Sequence, residues 1–381
     1  MSARTVGGEG NCVAHGRCRS SSSPKMASET KAIGWAARDT SGHMSPIEFS
    51  RRALGPKDVK FSIKFCGVCH SDWSTVTGEW GPPMFPVVPG HEIVGVVEEV
   101  GSEVTKLKVG DHAGVSTYVN SCGSCRICEK KLPQHCNGVV WVYNSVDHAD
   151  GLPTYGGYSN LMVVNERFCL VLPKNLPLDG AAPLLCAGAT VYSPMKRYGM
   201  GKNGNRFGVV GLGGLGHMAL KFAKSFGMHA TVISTSPAKE KMAREELGAD
   251  NFIVSKDPKQ MEASVGTLDF IIDTVSAIHP LDPLLNLLAP QGQLIFVGGG
   301  VGKCEFDSLP LCFGGKSIGS SCIATLEELQ EMLDYCGEKN LVCTIEKIPI
   351  DYINEAYKRM NKGDVHFRFV IDVGNTLKPQ N

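Results

Sequence analysis

No stretch of this 381-residue chain stays apolar for the roughly 20 residues a bilayer demands; charge, glycine or proline interrupts every run well short of that. No membrane span is therefore expected. The chain also lacks an excess of charge of either sign, with 38 Lys and Arg against 38 Asp and Glu, so nothing in the balance suits a phosphate backbone, and nucleic acid is not expected as a partner. Nor is a secretory signal expected in the opening residues. Residues 1–25, MSARTVGGEGNCVAHGRCRSSSSPK, hold three Arg, five Ser and one acid but no apolar core. They read as a disordered extension ahead of Met26, with an organellar transit peptide as the alternative.

Cysteine is plentiful but wrong for a disulfide scaffold: 15 is an odd number, and the chain is too long to need staples. The thiols are better read as metal ligands in a reducing compartment, which points to the cytoplasm. Apolar residues at 43% and charged residues at 20% suit a packed globular protein, and at about 150 residues per domain the length allows two domains, or at most three.

From Val59 to about Val119 the runs VKFSIKF, EIVGVVEEVG and HAGVSTYV, broken by Gly, Pro and Asp, predict a compact, mostly β domain. After Cys186 the texture changes to alternation: FGVVG, a helix, ATVIS, a helix, NFIVS, then FIIDTV and LIFVGGG, which implies parallel strands with crossover helices. The tail predicts a helix from Leu326, then a helix and a strand, YINEAYKRM and FRFVIDV, that return to the first domain.

Gly211, Leu212, Gly213, Gly214, Leu215 and Gly216 form G-x-G-x-x-G directly after the strand Phe207–Val210 and before a helix, the setting in which glycines let a pyrophosphate approach the backbone. Met218, Ala219, Phe222, Ala223 and Phe226 fall at 3.6-residue spacing, a face that should pack on the sheet. Where an acid at the end of the second strand would hold the ribose of NAD, this chain has Ser234, Thr235 and Ser236, with Lys239 nearby; hydroxyls and a cation suit the 2′-phosphate of NADP. The plainer reading makes Ser236 the cap of a helix beginning at Pro237.

Two groups of residues have the chemistry of zinc ligands. Cys122, Cys125, Cys128 and Cys136 lie in one hydrophilic loop as C-x2-C-x2-C-x7-C, four soft thiolates of the kind that close a structural site. A nucleic-acid zinc ribbon is the alternative, but the flanking charge is balanced. The second group is dispersed: Cys69, His91 beside Glu92, and Cys186 would leave a fourth zinc position open for water or substrate. Taken singly, each of these residues would be core or loop. Cys12, Cys18, Cys66, Cys169, Cys304, Cys312, Cys336 and Cys343 belong to no motif and read as incidental or buried.

Together CGVCHSD, GHEIVG, the four-cysteine run, AAPLLCAG, TVYSPM, GLGGLGHMA, FIIDTVS and RFVIDV, in that order between about Lys31 and Val373, resemble the zinc-dependent medium-chain alcohol dehydrogenases, in particular their plant cinnamyl alcohol dehydrogenase-like branch. The resemblance implies an α/β architecture: a GroES-like, mostly β catalytic domain over 26–187 and 325–381, around an inserted doubly wound Rossmann domain over 188–324. It implies homodimers, two zinc ions per subunit and NADP(H). Cys69, His91 and Cys186 would hold catalytic zinc, with Glu92 as alternative ligand or neighbour, and the four-cysteine run would hold structural zinc. Ser71 takes the place of the hydroxyl that passes a proton to the nascent alkoxide, and Trp141 that of an aromatic pocket wall.

Three departures stand out. Ser74 occupies the outer relay position where the branch often has histidine, and a hydroxyl cannot carry a proton at neutral pH as imidazole can. Cys322 replaces an aromatic and opens space, while Trp73 adds bulk to a wall. Glu240 stands where a lysine often helps bind the 2′-phosphate, leaving Lys239 or Lys241 to compensate. His70 could contact cofactor phosphates or simply face solvent. The expected activity is NADPH-dependent reduction of aromatic, cinnamyl-type aldehydes to alcohols; the alternative is reduction of terpenoid aldehydes or alkaloid iminium carbons, the latter needing no proton on oxygen. A non-catalytic NADPH sensor is the remaining reading, and an open zinc site argues against it.

Overall fold

The computed structural model describes residues 29–201, 204–300 and 302–379; residues 1–25, with Cys12 and Cys18, lie outside these. Two sheets organise the chain. The first is built on the long strand Asp58–Gly67, whose alternating buried residues Val59, Phe61 and Ile63 face the core, and which pairs antiparallel with Ile93–Val100 and Leu161–Asn165. His112–Val115 and Leu170–Val171 extend it on one side. On the other, Arg368–Asp372 pairs antiparallel with the start strand and Ile345–Ile348 lies parallel beside it, so the tail does return to the first sheet. HAGVSTYV is two strands rather than one run: His112–Val115 stays in this sheet, whereas Tyr118–Asn120 turns away to pair with Val140–Trp141 and closes the base of the four-cysteine lobe.

The second sheet has six parallel strands in the order Asn251–Val254, His229–Ser234, Arg206–Val210, Leu268–Asp273, Leu288–Phe296, Ser317–Ser320. Numbered along the chain this is 3-2-1-4-5-6, the doubly wound Rossmann order, whose ligand crevice lies at the carboxyl ends of the central strands. The strand edge Ser317–Ser320 was not foreseen, because Gly319 and two serines in four residues carry no β signal. The helix Gly214–Ser225 buries Met218, Ala219, Phe222 and Ala223 as its periodicity requires, with Phe226 half-buried at its end.

Between the sheets runs the helix Ala187–Arg197, buried from Ala187 to Met195 and packed on both Gly214–Ser225 and Leu326–Lys339. Small residues permit this: a Cβ at Gly188 would meet Met332 Sδ at 2.9 Å. Leu326–Lys339 itself begins with a capping box in which the Thr325 hydroxyl accepts from Glu328 N–H and the Glu328 carboxylate accepts from Thr325 N–H.

Candidate metal and cofactor site

The short helix His70–Val76 starts at Cys69, and the carboxylate three positions on, Asp72, accepts the Cys69 N–H at 3.0 Å. Asp72 is wholly buried and does more than cap. Its other oxygen accepts the Gly90 N–H at 3.0 Å and faces His91 Nδ1 at 3.0 Å, and Tyr158 donates its hydroxyl to the same group at 3.2 Å. One carboxylate thus fixes Cys69 and His91 together. A carboxylate oxygen accepts from the Nδ1–H, which leaves Nε2 as the nitrogen that the neutral ring would offer to a metal. That Nε2 is buried with no hydrogen-bond partner.

Cys186 comes from the other side, at the start of the buried helix Ala187–Arg197; Ser116 holds the preceding carbonyl, Leu185, at 2.6 Å. Its Sγ lies 4.0 Å from Cys69 Sγ, and the ligand atoms of Cys69, His91, Glu92 and Cys186 all fall within 4.8 Å of one another. Burial penalises charge on His91, yet Asp72 and the Cys69 sulfur outweigh it and push the imidazole up to about 10. The thiol of Cys186, with Arg368 and His91, holds Cys69 well below its ordinary value. A pocket that stabilises a thiolate and draws positive charge to an orphaned imidazole nitrogen fits zinc.

Glu92 is buried and ion-paired with the buried Arg368, so it serves the site as Arg368's partner; Gly67 makes room for it, since a Cβ there would collide with the carboxylate. Ser71 Oγ lies 3.6 Å from Cys69 Sγ, at the cluster, and Tyr143 places its hydroxyl 3.4 Å from His91 Nδ1. Asp72, Tyr143 and Arg368 were missed in the sequence. The signal for Asp72 was its place as N3 of a helix opening on a ligand; nothing local marked the other two.

The lobe differs in construction. Cys122 and Cys128 sulfurs are 3.9 Å apart, Cys125 and Cys136 3.7 Å, Cys122 and Cys136 3.4 Å, and the Gly138 N–H donates to Cys136 Sγ at 3.3 Å. Zinc–sulfur bonds of about 2.3 Å set tetrahedral corners about 3.8 Å apart, so the four thiols already trace the required figure.

A cleft of about 330 Å³ lies between the glycine loop and the segment around Arg368, with His70, Gly213, Gly214, Ser236 and Lys239 on its walls. Gly211 takes φ +86°, Gly216 packs against the Gly211 carbonyl too closely for a Cβ, and a Cβ at Gly213 would meet nothing, projecting instead into open space. That cradle fits a dinucleotide phosphate. Leu212 is buried beneath it, Leu215 half-buried against the core. Lys239 donates from Nζ to the Leu212 carbonyl at 3.0 Å, so its charge sits over the loop, while Glu240 turns to Arg244 at 2.9 Å. Ser236 does precede a short 3₁₀ turn, Pro237–Lys239, but its side chain makes no cap bond; its N–H donates to the buried Ser234 hydroxyl at 3.2 Å, and Thr235 is exposed.

Trp73 is half-buried. Its ring meets Tyr357, on the helix Ile353–Asn361, edge-on at 5.3 Å and packs over Gly42. Ser74 is buried. Trp141 and Cys322 are both exposed, and Tyr118 links their segments: it pairs with Trp141 in register and donates its hydroxyl to the Ala324 carbonyl at 3.0 Å. Of the cysteines without a motif, Cys66, Cys169, Cys336 and Cys343 are buried and Cys304 and Cys312 exposed.

Comparison with known proteins agrees with this geometry. Residues 55–174 match the family model described as alcohol dehydrogenase GroES-like domain, and residues 214–338 match zinc-binding dehydrogenase. The chain is 54% identical over 356 residues to 8-hydroxygeraniol dehydrogenase of Catharanthus roseus, covering 93% of this chain and 99% of that one. A cinnamyl alcohol dehydrogenase of Sorghum bicolor superposes with a TM-score of 0.90 at 50% identity, over 92% of this chain and all of that one. The corresponding Helicobacter pylori enzyme, complexed with NADP(H), superposes at 0.86 with 37% identity over 92% and 100%.

Proposed function

The chain belongs to the zinc-dependent medium-chain alcohol dehydrogenases, in their plant cinnamyl alcohol dehydrogenase-like branch, and from that premise we propose that it is an NADPH-dependent aldehyde reductase acting reversibly on cinnamyl-type aromatic aldehydes. One observation carries the chemistry: the buried, unpartnered Nε2 of His91 beside the Cys69 and Cys186 thiols, with Nδ1 pinned by Asp72. When bound, zinc supplies a Lewis acid for a carbonyl oxygen and NADPH supplies the hydride. Cys69, His91 and Cys186 would hold the metal, with Glu92 and Arg368 balancing charge behind them, and Cys122, Cys125, Cys128 and Cys136 would hold a second ion. Ser71, beside Cys69, delivers the proton to the alkoxide oxygen. Buried Ser74 offers no imidazole to complete the relay, so in the reductive direction Ser71 regains its proton through water or another group. Trp141, and Cys322 across Tyr118 from it, would shape the substrate side.

Support for NADPH over NADH comes from the absence of an acid among Ser234, Thr235 and Ser236, from Lys239 over the loop, and from the cofactor in the Helicobacter pylori relative. We assign residues 26–187 and 325–381 to the catalytic domain and 188–324 to the cofactor domain, and place the protein in the cytoplasm as a homodimer. A second reading, terpenoid aldehydes or iminium carbons as substrates, is favoured by Ser74 and by the name of the Catharanthus roseus relative.

NADPH consumption with coniferaldehyde, a terpenoid aldehyde and a cyclic iminium decides between the two. Coniferaldehyde should give the highest kcat/KM. A preference of tenfold or more, about 1.4 kcal/mol, for either other substrate overturns the first reading.

A further inference from the structure

We propose that His217 is a positioning residue for the cofactor pyrophosphate, fixing the Gly213–Gly214 peptide so that the Gly214 N–H faces the cleft. The proposal rests on the dinucleotide reading given above. This peptide joins two glycines, and with no Cβ on either side its rotation is less restricted than that of any other dipeptide. Yet its carbonyl is held twice by one residue. Gly213 O accepts the His217 backbone N–H at 3.0 Å and lies 3.2 Å from His217 Nδ1.

The tautomer follows from the far side of the ring. Thr344 donates its backbone N–H to His217 Nε2 at 3.3 Å, and an amide N–H can only donate, so Nε2 is unprotonated and the proton lies on Nδ1, where it donates to Gly213 O. Burial, with Lys221 adding to it, pushes the imidazole down to about 3, so the ring stays neutral at any working pH. The wholly buried ring stacks on Phe367 at 4.7 Å and 5°, which leaves it little freedom to turn.

In a trans peptide C=O and N–H point in opposite directions. Drawing the Gly213 carbonyl down into the helix therefore turns the Gly214 N–H outward, toward the space that a Cβ at Gly213 would find open. His217 touches no cofactor atom on this account; it acts through the peptide.

Three replacements of the full-length protein separate the roles. His217→Asn keeps an amide donor near the place of Nδ1; His217→Gln moves the amide to the place of Nε2; His217→Phe keeps the stack and removes both polar atoms. Affinity is read by calorimetry with NADPH and with 2′-AMP, which has the adenosine and 2′-phosphate but no pyrophosphate. Expected are about tenfold weaker NADPH binding in His217→Phe and His217→Gln, near-complete recovery in His217→Asn, and 2′-AMP binding within about twofold of the parent throughout. Unchanged NADPH affinity in His217→Phe overturns the proposal, as does equal weakening of both ligands. If His217→Phe fails to fold, the Asn and Gln variants still decide, and equal NADPH affinity in those two overturns it. Should the parent bind NADH instead of NADPH, the reading of the 2′-phosphate fails while His217 is tested unchanged with NADH and with adenosine, which lacks the pyrophosphate.

Discussion

The two thiol clusters solve the same problem, gathering ligands for a tetrahedral ion, in opposite ways. The lobe draws four sulfurs from 15 consecutive residues, with Cys122 exposed and a backbone N–H from Gly138 as support. The other cluster draws on Cys69, His91 and Cys186 across the first domain, buries all of them, and steadies them with side chains, Asp72 on one face and the Glu92–Arg368 pair on another. Four ligands from one loop would suit a closed, structural site; three gathered by the fold would leave a ligand position free and still keep their shape.

The comparison breaks most plainly if removing a ligand from the dispersed cluster proves harmless. Cys69→Ala should cut kcat by about a thousandfold or more, roughly 4 kcal/mol of barrier, with bound zinc falling from two ions per chain to one and the melting midpoint little changed. Retained turnover in that variant would remove the cluster from the chemistry. Cys136→Ala should do the reverse: the lobe ion is lost and the melting midpoint falls by about 5 °C or more, while turnover per folded molecule at low temperature stays within about threefold. A stability change confined to the first variant would exchange the two assignments. The finer distinction concerns support. Asp72→Asn should release the buried ion to a chelator about 10- to 100-fold more readily and leave the lobe ion untouched, since only the dispersed site depends on a carboxylate to hold its histidine. Equal release from both sites would reduce Asp72 to a helix cap.

The same contrast explains what could be read beforehand. The lobe lies in one loop, so spacing alone exposed it. Cys69, His91 and Cys186 were read as a group from their ligand chemistry, and the family resemblance supplied their role, because no spacing rule joins residues that meet through folding. Alternation and glycine placement revealed the parallel sheet and its loop, while Ser317–Ser320 escaped for want of β-formers. Asp72 is a polar residue in a short helix until Gly90 and His91 arrive beside it. The contact of Trp73 with Tyr357 was not legible either, because the two residues lie far apart in the chain and meet only through folding.

The return of Arg368–Asp372 to the first sheet has a consequence for the order of events during synthesis. The six strands of the second sheet are contiguous in sequence and can pair as the chain emerges, whereas Gly67 must wait for Val370. Glu92 is likewise synthesised long before Arg368, the arginine it pairs with in the finished fold. The four cysteines of the lobe can meet early, whereas the Glu92–Arg368 pair behind Cys69, His91 and Cys186 closes only with the final strand, so a ribosome stalled before that strand would hold a chain whose dispersed cluster lacks its arginine.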